Sequence, residues 1–317
     1  ADVTALLLGA LSTAALPPVH AIPVLLVAVP GLLALVGAAG GPLAAARRGF
    51  WFGFGNHVLG LYWITEAIIL ESARYWWLVP LAVPALSALL AVFIAIPCAA
   101  ARLAPADWRR VLMLGGAWTL LDLARQFVGT GFPWNPWGSV WAIPGPLGDA
   151  MLQPAAWVGT PGLTLITVLL AASPALGRRA LAGAAAVVLL WAAAGLVRLG
   201  MPEPAASGLV AVLVQGNVAQ GQKWDRATAT AAFGRHLDLT RQGLADAAGR
   251  PAVVIWPETA SVFYLQSDPA ARDYIADAAR PALGAIVGSL TFTNGAPSAD
   301  PENLPRNSLV AMQRDGV

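Results

Sequence analysis

Residues 251–260 read PAVVIWPETA, and this stretch decides how the C-terminal part of the chain is read. Ala252 to Trp256 are short, apolar and β-rich, the composition of a buried strand. Pro257 ends the strand, because proline has no N–H to give to a ladder. Glu258 follows just past the strand end, where layered α/β folds hold their reactive groups. A carboxylate flanked by Trp256, Pro257 and Val262 is expected to be partly desolvated, the setting of a general base. The same residues also suit a helix N-cap or a surface ion pair, so the decapeptide alone leaves both roles open.

Outward from this strand the pattern is that of an α/β layer over residues 207–317. Leu209 to Val214 is an uncharged strand, broken by Gln215-Gly216-Asn217. Residues 225–248 place Ala229, Phe233, Leu237 and Leu244 on one helical face, with Arg226, Arg235 and Arg241 around the rest. Asp268 and Pro269 begin a second helix as N-cap and first residue. Ala285 to Leu290 and Asn307 to Met312 are further strands, and Asp315-Gly316 is a turn signal that promises another. Strand–helix–strand–helix–strand–strand predicts an α/β domain. Four strands and two helices cannot cover both faces of such a sheet, so the domain is expected to be incomplete.

Residues 1–200 differ in kind. They hold ten Arg, six Asp or Glu, and 11 of the 13 Trp, against nine Lys or Arg and eleven Asp or Glu in residues 201–317. A span needs about 20 mostly apolar residues. Stretches 3–16, 19–39, 49–70, 75–101, 109–128, 155–177 and 180–199 predict about seven helices, with Pro202 and Pro204 in the linker that follows. Arg47, Arg48, Arg102, Arg109, Arg110, Arg178 and Arg179 fall in alternate loops, against Arg74 and Arg125 in the others, which puts the first set in the cytoplasm. An odd number of spans then delivers the α/β domain to the opposite side, the periplasm of a bacterium. The net charge of +2 gives no reason to expect nucleic acid. A single cysteine, Cys98, excludes an internal disulfide framework. His20, His57 and His236 are too scattered for a metal site. No nucleotide loop or haem motif is present, so no cofactor is expected.

Three features stand out in the apolar part. Gly49 to Ile64, GFWFGFGNHVLGLYWI, is rich in glycine and aromatics; helix packing is the simplest account of Asn56 and His57 there. Asp122 and Arg125 are three apart on one helix face and can pair. Residues 126–154 form a long outer-side loop with Trp134, Trp137 and Trp141, expected to lie at the lipid headgroups.

Several separated motifs then agree. GFWFGFGNHVLGLYWI, TGFPWNPWG, VLVQGNVAQGQKWD, VVIWPETA and RNSLVAMQRDGV resemble the bacterial apolipoprotein N-acyltransferases, in that family's order, from about residue 49 to residue 317. The resemblance implies a polytopic membrane domain joined to a periplasmic nitrilase-like α-β-β-α sandwich, here incomplete, in the bacterial inner membrane. It implies N-acylation of the diacylglyceryl-modified N-terminal cysteine of an apolipoprotein, with a membrane phospholipid as acyl donor. The family uses a Glu–Lys–Cys triad that forms a Cys thioester. By resemblance Glu258 is the general base, Trp224 lines the substrate pocket, and Phe132, Pro133 and Trp134 belong to a lipid-access mouth.

The chain departs from that pattern in two respects. Lys and Cys follow the base in the family, whereas here the only lysine, Lys223, precedes Glu258 and the only cysteine, Cys98, lies within an apolar helix. Neither is assigned to the triad. The closing membrane helix of the family is absent too. The chain is therefore expected to be a C-terminally truncated member that cannot form the thioester alone. A non-catalytic membrane remnant, and a transporter with an accessory outer domain, are the competing readings. A hydrolase of soluble amides would not need the spans.

Overall fold

The computed structural model describes residues 1–69, 75–129, 131–203, 205–218, 226–261, 263–298, 300 and 302–313, without the side chains of 226 and 227. Trp224, Val262, Arg74, Pro204 and the Asp315-Gly316 turn signal lie outside the described residues. The chain divides into two compact units, Ala1–Pro202 and Glu203–Val317.

The first unit is helical: α1 (Asp2–Ser12), α2 (Leu25–Gly37), α3 (Pro42–Gly60), α4 (Ile64–Ile69), α5 (Val79–Leu103), α6 (Trp108–Arg125), α7 (Pro146–Leu152), α8 (Ala155–Ala172) and α9 (Arg178–Leu199). Among the described residues, three stretches are long and apolar enough to cross a membrane: Trp76–Leu103, Ala155–Leu176 and Arg178–Leu199. The apolar α1 and α2 are shorter. Helices α3 and α6 have 19 and 18 residues, but the first is glycine-rich and carries an arginine pair, Arg47 and Arg48, in its second turn, and the second carries four charges. Helices α1 and α3 approach closely because neither has bulk at the crossing. A Cβ on Gly9 would overlap the Phe52 carbonyl, and one on Gly55 the Leu6 carbonyl.

Residues 126–154 are more ordered than a plain loop. They contain a tight helical turn at Trp137–Trp141 and all of α7. Gly145, at φ +97°, and Pro146 in the first turn start that helix. The expected headgroup display of tryptophans holds for neither Trp137 nor Trp141, both of which are buried. Trp137 packs on Trp118 with ring centroids 4.5 Å apart, and Trp141 on Trp191 at 4.8 Å. The Trp141 indole N–H donates to the Thr167 hydroxyl at 2.8 Å. A large apolar body whose N–H finds a partner is cheaper inside the bundle than outside it.

The second unit runs β1 (Val210–Leu213), α10 (Arg226–Asp246), β2 (Ala252–Ile255), α11 (Pro269–Ala278), β3 (Gly284–Phe292) and β4 (Pro305–Gln313). The sheet order is β1-β2-β3-β4, with β1, β2 and β3 parallel and β4 antiparallel to β3. The register aligns Val212, Val254, Ala285 and Met312, all buried. On that face they share a core with Phe233, Leu237 and Leu244 of α10 and Ile275 of α11. The Asp268 carboxylate caps α11 by accepting from the Ala271 N–H at 3.0 Å. The other face exposes Leu213 and Leu309. The described residues thus show one small sheet with helices on one face, a coarser architecture than the expected four-layer sandwich.

Candidate functional site

In the second unit the strands β1 and β2 leave the sheet side by side, and a cleft opens beyond them. It has a volume of about 140 Å³ and is lined by residues including Gln215, Asn217, His236, Pro257 and Glu258. Strand exits of a parallel sheet are free of ladder partners, so the chain can turn and present side chains there. Both turns are conformationally unusual. Asn217 has φ +47° and Thr259 has φ +45°. Asn tolerates the left-handed region; a β-branched threonine does so only at a cost.

The turn carrying Glu258 is held from three sides. The Trp256 N–H donates to the Ile286 carbonyl at 2.9 Å, and the Ser261 N–H to the Gly288 carbonyl at 3.1 Å. Gly288 permits this approach, because a Cβ there would overlap the Pro257 carbonyl and lie 2.8 Å from Glu258 Cα. From the helix side, Trp256 packs on Phe233 and His236 with centroids 5.7 and 5.0 Å apart. Its indole N–H donates to the Thr240 hydroxyl at 2.9 Å, and that hydroxyl donates to the His236 carbonyl at 2.8 Å. The third contact reaches Glu258 itself: Asn307 Nδ2 donates to its Oε1 at 2.5 Å.

Glu258 is exposed, not partly desolvated as its apolar sequence neighbours suggest. Trp256 turns inward to the core while Pro257 and Glu258 point away from it, so adjacency in sequence gives no shielding. The structure thus sets a carboxylate that accepts a hydrogen bond from a side-chain amide at the lip of a cleft. Asn307, Gly288 and His236 were not singled out as site residues from sequence. Asn307 lay within the quoted RNSLVAMQRDGV motif, which is the one signal that could have found it.

The first unit has its own cavity, of about 590 Å³, lined by Thr13, Leu16, Tyr62, Trp63, Phe132 and Pro133 among others. Phe132 and Pro133 are exposed at it. Trp134 stands behind them, 4.5 Å from the Phe132 ring and stacked 6.2 Å from Trp63. It packs against the cluster of Leu61, Val83 and Leu90. Asn135, at φ +41°, ties this segment to the end of α3 by donating to the Gly60 carbonyl at 2.8 Å. The structure therefore brings Phe132, Pro133 and Trp134 together with the aromatic end of α3. Cys98 is fully buried against the helix bundle.

Helices fit to cross a membrane, followed by a largely parallel α/β sheet with a carboxylate at a strand exit, define a membrane protein that carries a layered α/β unit. The family model of the apolipoprotein N-acyltransferase N-terminal domain matches residues 8–173. Relatives named apolipoprotein N-acyltransferase include those of Brucella suis (36% identical, 94% of this chain and 59% of the relative), Allorhizobium ampelinum (35%, 97% and 60%) and Caulobacter vibrioides (34%, 98% and 59%). The chain belongs to the apolipoprotein N-acyltransferase family. It spans about three fifths of the length of these relatives.

Proposed function

We propose that this chain carries the general-base part of a phospholipid-dependent acyltransferase that modifies the N-terminal diacylglyceryl-cysteine of apolipoproteins. The observation that carries this reading is Glu258 at the exit of β2, clamped by Asn307 at the lip of a cleft. In this reading Glu258 takes the proton of a cysteine thiol. The thiolate attacks the carbonyl carbon of a phospholipid ester, a thioester forms, and the lysophospholipid leaves. The α-amine of the lipoprotein then attacks the thioester and releases the thiol. A lysine steadies the oxyanion of each addition step.

The chain has no lysine or cysteine after Glu258, so in this reading residues 1–317 supply the general base and not the nucleophile or the oxyanion donor. By itself this span is not expected to form the thioester. Phe132, Pro133 and Trp134 would admit acyl chains at the membrane face, and Trp224 would line the pocket for the reacting ester. The arginine distribution supports a multi-pass protein of the bacterial inner membrane with its α/β unit in the periplasm. Both substrates are lipid-anchored, which is a physical reason for joining such a unit to membrane helices. The open apolar face of the sheet would be covered by a second sheet in the complete sandwich.

Reading the gene beyond the codon for Val317 tests this. A frame that continues through a lysine, then a cysteine, then an apolar stretch of about 20 residues supports the reading. An immediate stop codon leaves this chain as a remnant without the activity.

A further inference from the structure

Helix α3 meets its neighbours at a fixed level. Gly49 faces Cys98 and Gly53 faces Ala91, so α3 and α5 run antiparallel; a Cβ on Gly53 would lie 2.9 Å from Ala91 Cα. Phe52 of α3 meets Trp118 of α6 edge to face, with centroids 6.3 Å apart. One turn further on, at 3.6 residues per turn, α3 arrives at His57, α5 runs back to Ser87, and α6 arrives at Asp122 and then Arg125. The register thus sets His57, Ser87 and Asp122 at one level of three helices, with Arg125 a turn beyond Asp122 and paired back to it.

All four are buried, with exposures of 2% for His57, 0% for Ser87, 8% for Asp122 and 4% for Arg125. Arg125 and Asp122 pair at 2.9 Å through Nη2 and Oδ1. Both ring nitrogens of His57, Ser87 Oγ, Asp122 Oδ2 and Arg125 Nε have no partner among the described residues. Polar atoms sealed away in this manner are costly unless something completes them.

We propose that a small cluster of bound water occupies this level, forming an internal hydration site of the helical unit. The census of atoms selects the ligand. A neutral imidazole supplies one donor and one acceptor, a serine hydroxyl supplies both, Asp122 Oδ2 accepts and Arg125 Nε–H donates. Donors and acceptors balance. A phosphate or carboxylate would use only the donors and would face Asp122. A cation would use only the acceptors and would face Arg125. Water donates and accepts at once and makes two to four hydrogen bonds in such sites. Its presence accounts for an ion pair that persists among apolar helices, where bare charge is expensive.

Solid-state NMR on the chain in lipid bilayers tests the site without any substitution. Asn56-His57 is the only Asn-His pair in the sequence, so carbonyl-¹³C asparagine with ¹⁵N,¹³C-histidine picks out His57. The expected result is transfer of water magnetisation to the His57 ring, with none to the equally buried Phe52 ring labelled in parallel. A His57 ring as dry as Phe52 overturns the proposal. So does a ³¹P dipolar coupling to the His57 ring, which would assign the level to a lipid phosphate.

Discussion

Asn307, on the last strand of the sheet, holds Glu258, at the exit of the second, through an Nδ2 to Oε1 hydrogen bond of 2.5 Å across 49 residues of sequence. The carboxylate is exposed, so enclosure does not set its aim, and this amide and the turn beneath it both contribute to holding it. If Glu258 is the general base proposed above, Asn307→Ala in an acyltransferase that carries this unit is expected to lower kcat on the order of tenfold to a hundredfold, the cost of misaiming that carboxylate. Asn307→Asp, which sets a second carboxylate against the first, should be worse. Steady-state kinetics with a phospholipid donor check both.

Gly288 lets the Pro257–Glu258 backbone lie against β3. Gly288→Ala must push that turn away. It is expected to destabilise the α/β unit by about 1–3 kcal/mol, the usual cost of overpacking. Denaturant unfolding followed by hydrogen exchange of the β2 and β3 amides measures this, and Gly295→Ala, where the glycine has φ +82° but no close neighbour, serves as a backbone control.

The Trp256 indole and the Thr240 hydroxyl form a buried donor–acceptor pair at 2.9 Å. Thr240→Val keeps the shape and removes the acceptor. The stranded indole N–H is expected to cost about 1–3 kcal/mol. Thr240→Ser, which keeps the hydroxyl, should cost less, and thermal melts of the two variants decide it.

In the helical unit, Asp122 and Arg125 are buried together, with side chains 10% and 5% exposed. Asp122→Leu leaves a buried guanidinium without its counter-charge. The loss is expected to be about 3–5 kcal/mol, whereas replacing both residues by leucine should recover much of it. A double-mutant cycle in detergent, read by unfolding, separates the two outcomes.

What the sequence made legible follows from locality. The strand at Ala252–Ile255, the Asp268 cap and the Asp122–Arg125 pair each depend on residues a few positions apart, and all three stand in the structure. Helix α7 was equally local, since Gly145-Pro146 is a start signal, but the surrounding prolines hid it. Asn307, Gly288 and His236 depend on pairing across the sheet or from helix to sheet. Their roles appear only once the register sets Ser289 opposite Ser308 and Gly288 opposite Leu309. The place of Glu258 after a strand was legible, but its exposure was not, because side chains alternate across a strand exit and neighbours in sequence need not be neighbours in space.

The most direct measurement is thioester formation from a labelled phospholipid in the full-length enzyme, comparing Glu258 with Glu258→Gln. Glutamine keeps the size and the bond to Asn307 but cannot take a proton. The account predicts that labelled thioester disappears while the variant still folds, with an unchanged melting temperature. A Glu258→Gln enzyme that still accumulates thioester at the parent rate would contradict the assignment of Glu258 as the general base.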